Sequence, residues 1–174
     1  MGIKSKFANR ILNSKLNLVV REKKVVNLDS AQTVGILWEI DQQEAFIKIK
    51  NELYLAGIKA DGLCYFPLKK ALIPEEINGF SRKQTSWWLE IPKTQVVEDF
   101  IRQKFDILID ITGQKSFPMV YATALSEATF KVGYAGGSTN YFDLNIEFPD
   151  RPEASQLAEQ ILYYLKRINK TTIE

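Results

Sequence analysis

Residues 33–40, Thr-Val-Gly-Ile-Leu-Trp-Glu-Ile, form an almost unbroken apolar run. A strand with one wet face alternates polar and apolar side chains. An unbroken run instead reads as a strand buried on both faces, as in a parallel sheet covered by helices. The next residues agree. Asp41-Gln42-Gln43-Glu44 has capping-box spacing, with Asp41 as N-cap and Glu44 reaching back. The helix predicted there runs to about Ala56 and ends at Gly57, and a second strand follows at 62–66. This is a β-α-β unit, whose crossover is expected to be right-handed.

The same alternation continues. Residues 67–82, with Pro74, Glu75, Glu76, Asn78 and Gly79, read as a loop or short helical turn. Residues 85–91 read as a third strand, in which adjacent Trp87 and Trp88 point to opposite faces, so that at least one enters the core. A helix is predicted from Thr94 to about Lys104, and the clearest strand at 105–111. Pro118 suits the first turn of a helix running to about Ala128. A short strand at 130–134, a turn at 136–140 and an edge strand at 144–148 follow. The last helix spans 152–170, with Ala154, Leu157, Ile161, Leu162 and Leu165 on one face, and 171–174 are expected to fray. The expected fold is a three-layer α/β/α sandwich on a mainly parallel, Rossmann-like sheet of five to six strands. The expected organisation is a basic helical arm over 1–27 and a single Rossmann-like domain over 28–174.

Charge separates the arm from the body. Residues 1–24 carry seven basic side chains and one acid, while the remainder carries 16 basic and 20 acidic residues. An acidic body argues against a broad nucleic-acid surface, so no nucleic-acid partner is expected. Within 3–21, Ile3, Phe7 and Ile11 recur at i, i+4 and i+8, with Leu18 beyond them and Asn13-Ser14 as an interruption. Such a basic amphipathic helix either packs its stripe on the domain or presents it to a partner or a membrane surface, which leaves a weak membrane-surface contact open. No apolar run approaches the roughly 20 residues of a transmembrane helix, and no signal-peptide pattern opens the chain. A cytoplasmic location is expected.

The chain contains no histidine. That removes Ser-His-Asp and Cys-His catalysis, His-ligated zinc and a histidine base. Cys64 is the only cysteine and sits in the apolar run Leu63-Cys64-Tyr65-Phe66, the setting of a buried thiol. It fits a reducing compartment. No cofactor and no transition-metal site are expected; magnesium on carboxylates stays open.

In an open parallel sheet, ligands bind beyond the C-terminal ends of the strands, where strand order reverses. If strands 33–40 and 105–111 are neighbours, Asp41 and Asp110 flank that crevice. The segment Asp110-Ile-Thr-Gly-Gln-Lys-Ser-Phe-Pro offers an acid at a strand end, a turn glycine, polar groups and a helix N-terminus suited to an anion. The candidate ligand-binding residues are therefore Asp41, Asp110, Thr112, Gly113, Gln114 and Ser116. The plainer alternative is that Asp41 and Ser116 only cap helices. Gly113-Gln114-Lys115-Ser116 lacks the glycine spacing of a P-loop, and Gly136-Gly137 lacks the strand–GxGxxG–helix context. Asn140-Tyr141-Phe142-Asp143 is a possible binding edge, although aromatic packing over the sheet end is the commoner outcome.

The stretch 105–114, a helix containing Ala122 and Ala124, and Phe130-Lys-Val-Gly-Tyr resemble the N-terminal domain of heptosyltransferase-like glycosyltransferases. Asp106, Asp110, Gly113 and Gly133-Tyr134 occupy the motif positions, over about 30 residues. The whole chain also looks like a small bacterial family of unknown function. In the transferases the nucleotide-sugar sits mainly on a second, C-terminal domain, so what the resemblance implies here is a fold more than an activity. The expectation is a non-catalytic binding or interaction module, in which the basic helix and a Trp-containing surface engage an unknown protein partner. The alternative is a small glycosyltransferase-like enzyme or anion-binding protein, with Asp110 or Asp41 as base and the 112–116 loop holding the small anionic ligand. A further alternative is peripheral membrane attachment through residues 3–21.

Overall fold

The apolar run at 33–39 lies at the centre of a six-stranded sheet in the computed structural model, which describes residues 3–136 and 139–168. The strands are β1 (Thr33–Glu39), β2 (Lys59–Phe66), β3 (Gly79–Ser81), β4 (Ile107–Asp110), β5 (Phe130–Gly133) and β6 (Leu144–Asn145). Their spatial order is β3-β2-β1-β4-β5-β6, and every pairing is parallel. β1 pairs with β2 and β4 together, placing Ile36 beside both Gly62 and Ile109. Two neighbours leave β1 no wet edge and two helical layers leave it no wet face, which is why its sequence does not alternate.

The helices are α1 (Ile3–Leu16), α2 (Gln43–Leu55), α3 (Gln95–Arg102), α4 (Phe117–Leu125) and α5 (Ala154–Leu165). α2 and α5 cover one face, packing Ile49, Leu53, Leu157 and Ile161 on Val34, Ile36, Ile107 and Ile109. α1, α3 and α4 cover the other, where Leu12, Val97, Phe100 and Met119 meet Leu37, Leu63 and Leu108. The result is a three-layer, Rossmann-like α/β sandwich. α4 is apolar nearly all round and buried from Pro118 to Leu125 except at Val120. It lies between the sheet and α1, and a helix without a polar face requires cover on both sides.

Several expected elements shift. α1 stops at Leu16 rather than 21; its final turn tightens through Leu18 N–H donating to the Lys15 carbonyl at 2.9 Å, and Asn13-Ser14 sit inside the helix. The helix also packs by the opposite face from the one expected. Ala8 and Leu12 are buried, while Ile3, Phe7 and Ile11 face outward. Small Ala8 lets α1 approach the body closely, which the bulkier stripe would prevent. The capping box belongs to Glu39 and Gln42, one turn before α2, so Asp41 is not the cap. Residues 79–81 pair with β2 as a strand within the segment expected to be a loop. Residues 85–91 are not a strand: one antiparallel bridge, Thr85 to Pro92, closes a turn in which Glu90 has φ 57°. Neither tryptophan enters the core, Trp87 being 87 % and Trp88 43 % exposed. The expected turn at Gly137-Ser138 and the chain beyond 168 lie outside the described residues.

Gly35 of β1 marks the tightest point of the second layer. A Cβ there would lie 2.6 Å from a Phe105 ring carbon and 3.1 Å from Phe100. Those rings pack on each other at 5.0 Å, so neither can yield freely. Gly35→Ala is expected to lower stability by roughly 1–3 kcal/mol, the range for overpacking a dense core. Urea unfolding followed by circular dichroism would read this as a lower midpoint with unchanged slope.

Candidate functional site

The order 3-2-1-4-5-6 reverses between β1 and β4, and the Rossmann crevice lies beyond their C-terminal ends. β1 ends at Glu39 and β4 at Asp110. Asp110 is 0 % exposed. Its Oδ1 accepts the Thr112 backbone N–H at 2.8 Å and the Thr112 hydroxyl at 2.6 Å. Its Oδ2 lies 2.6 Å from the Thr123 hydroxyl of α4. Burial pushes the Asp110 carboxyl above the usual carboxylate range, while the Thr112 and Thr123 hydrogen bonds pull it back. Both oxygens are engaged, and no face is open to a substrate.

The expected candidates divide accordingly. Thr112 is buried on Asp110, and its hydroxyl oxygen accepts the Gln114 N–H at 3.2 Å. Gly113 and Gln114 have φ of 61° and 54°, two successive left-handed residues that turn the chain sharply into α4. Gln114 Nε2 is buried with no hydrogen-bond partner. The Ser116 hydroxyl donates to Glu39 Oε1 at 2.6 Å, and Gln42 Nε2 donates to the Ile111 carbonyl at 3.1 Å. These two bonds bridge the switch point from β1 to the loop after β4. Asp41 lies exposed on the short 3-10 turn (Ile40–Gln42) that follows β1.

Two charged groups escaped the sequence reading. Glu39 is buried at the end of β1, and its carboxyl is raised by burial, against the Ser116 hydrogen bond, with further upward pressure from Asp41 and Asp110. An acid closing an apolar strand run was the available signal. Lys131, in the middle of β5, is 2 % exposed. Its Nζ donates to the carbonyls of Thr123 and Ala124 at 2.8 and 3.0 Å, in the last turn of α4, where the helix dipole favours a cation. Burial, aided by repulsion from Arg21 and Lys23, lowers its pKa to about 7, with Asp143 opposing. Nothing in the strand pattern distinguished it from an edge lysine.

Four surface cavities of about 300, 170, 630 and 510 Å³ are lined by other residues than the switch-point group. Among the described residues, no cluster of three or more His, Cys, Asp or Glu side chains could hold a metal ion. Cys64 is buried, with its thiol pushed up to about 12 by burial first, so it is no nucleophile near neutral pH.

The chain belongs to a family of unknown function (DUF6913), which it matches over residues 4–168. No curated protein and no solved structure matches it, and the likeness to heptosyltransferase-like enzymes gains no support from those comparisons.

Asp110→Ala is expected to leave the Thr112 N–H and hydroxyl unpaired in the core, the Thr123 hydroxyl keeping the Met119 carbonyl at 3.0 Å, and to cost about 2–6 kcal/mol, at about 1–3 kcal/mol per orphaned group. Asp110→Asn, which keeps one acceptor, should cost less; both are read by denaturant midpoints. Lys131 gives a pH signature. Its folded pKa lies below the unfolded value, so its contribution is present above about 10.5, the unfolded value, and is lost as pH falls through about 7. Between those limits stability should rise by up to roughly 1.4 kcal/mol per pH unit. Lys131→Met should remove that slope in urea titrations at pH 7, 8 and 9.

Proposed function

We propose that this protein is a non-catalytic docking module that lays the outward face of α1 and the adjoining tryptophan turn on an anionic membrane surface. The observation that carries this reading is the inversion of α1. Ile3, Phe7 and Ile11 span about 80° of helix surface, and all three are exposed. Phe7 meets Trp88 at 5.9 Å, which joins the stripe to the Trp87–Trp88 turn. On a helical wheel Lys4 flanks the stripe on one side, Lys6 and Arg10 on the other, and all three are exposed. Lys4 and Arg82 share Glu90, at 3.2 and 2.9 Å, which fixes the turn against the helix. An apolar stripe between cations, beside exposed indoles, has the chemistry of a surface-lying helix on anionic lipid. A cytoplasmic leaflet fits both the charge and the single buried thiol. No described helix is long and apolar enough to cross a membrane.

The alternative of a small glycosyltransferase-like enzyme draws less support. It needs an accessible base beside an open anion loop. Asp110 is sealed, and Ser116 is bonded to Glu39.

Flotation with vesicles of phosphatidylcholine alone, or with about 30 % phosphatidylserine, tests the proposal. Binding is expected only to the anionic vesicles and should fall steeply at about 0.5 M salt, where the screening length drops below 5 Å. Phe7→Ser with Trp87→Ser should abolish it, and Lys6→Glu with Arg10→Glu should weaken it at least tenfold. Failure of the native protein to float with anionic vesicles would overturn the reading. A dimer in sedimentation that Phe7→Ser dissolves would instead assign the face to a second copy of the chain.

A further inference from the structure

The chain between α1 and the body crosses the C-terminal end of α4, and beneath it lies a cavity of about 300 Å³. Arg21, Lys23 and Lys131 bring three cations to its wall, and Asp143 one carboxylate. The carboxylate is already engaged. Both its oxygens accept the Arg21 guanidinium, at 2.7 and 2.8 Å, and Oδ2 also accepts the Lys131 backbone N–H at 2.9 Å. Arg21 further donates to the carbonyls of Ala128 and Thr129, both at 3.1 Å, so the pair is a fixed, neutral piece of wall.

Among the described residues, no carboxylate forms an ion pair with the buried ammonium of Lys131. Two α4 carbonyls take two of its three N–H donors. Lys131 lines the cavity, and the exposed Lys23 lines it as well. Tyr141 and Phe142 supply an aromatic side to the same space. A volume of this size, combining one desolvated cation with aromatic surface, suits a small molecule with one anionic group and a ring or short apolar portion.

We propose that this cavity is a binding site for a small organic anion, a carboxylate or phosphate monoester, recognised by Lys131 and Lys23 and bounded by the Arg21–Asp143 pair. It is separate from the 110–116 loop and independent of the docking face on α1. The anion supplies the counter-charge that the β5 lysine lacks. Because Lys131 titrates near 7 among Arg21, Lys23, Asp143 and Tyr141, binding should tighten as pH falls from 8.5 to 6.5 and the ammonium forms.

The test is calorimetric titration of the native protein with phenyl phosphate, benzoate, inorganic phosphate and benzyl alcohol, at pH 6.5 and 8.5. Saturable binding of phenyl phosphate or benzoate, with none of benzyl alcohol, is expected. Whichever of the two binds more tightly identifies the anionic group, and inorganic phosphate should bind more weakly for want of the ring. Lys23→Gln, at an exposed position that leaves the core intact, and Lys131→Met should each weaken binding at least tenfold. If Lys131→Met does not fold, Lys23→Gln together with the pH dependence decides. The proposal is overturned by absence of saturable binding to all three anions. It is equally overturned by binding that is unchanged in Lys23→Gln and flat between the two pH values.

Discussion

The Asp110 carboxylate is the group on which the C-terminal end of the sheet depends. A charge taken wholly out of water is tolerable only when donors replace its hydration. Here the loop that follows and the helix after it provide them, through Thr112 and Thr123. The same Thr123 offers its backbone carbonyl to Lys131. One residue of α4 therefore joins a buried acid at the end of β4 to a buried base in β5, without the two touching each other. Fixing α4 in this way also fixes the 111–116 loop, which reaches back through Ser116 to Glu39 and ties β4 to β1. At the switch point, Asp110 is bonded to Thr112 and Thr123, and Glu39 to Ser116.

How much of this was legible in the sequence depended on length and repetition. β1, β2, β4 and β5, and the helices between them, were readable because apolar runs and helical periodicity extend over enough residues to outweigh local noise. β3 spans three residues, too few to carry a pattern, and exists because β2 offers an edge, whereas β6 was readable as an edge strand over 144–148 and pairs only over Leu144–Asn145. The turn at 85–91 misled because Thr, Trp and Ile favour strands as composition, whereas the backbone there is set by the Thr85–Pro92 bridge and a left-handed Glu90. On α1 the larger side chains suggested the buried face, but closeness to α4 selected the small one.

The candidate site was legible only as a location. The sequence placed Asp110 at a strand end beside β1, and the strands do pair there. It could not show that the acid is fully consumed by its own loop, because that depends on where Thr123 falls after α4 packs. Glu39 and Lys131 went unnoticed for a related reason. A charged residue within or at the end of a strand acquires meaning only when its neighbours across the sheet are known. The exposed apolar side chains of α1 and of the tryptophan turn lie apart from the strand ends, on the layer that covers the second face of the sheet.

The sheet's two borders carry a last consequence. One is β3 and the other β6, and between them they offer a neighbouring chain five residues of ladder. A foreign strand would gain too few backbone bonds on either side to stay registered, which is how natural sheets resist templated growth. Polymerisation by edge-to-edge accretion is therefore closed to this fold. Any lasting assembly has to be written in side chains, where single substitutions can rewrite it.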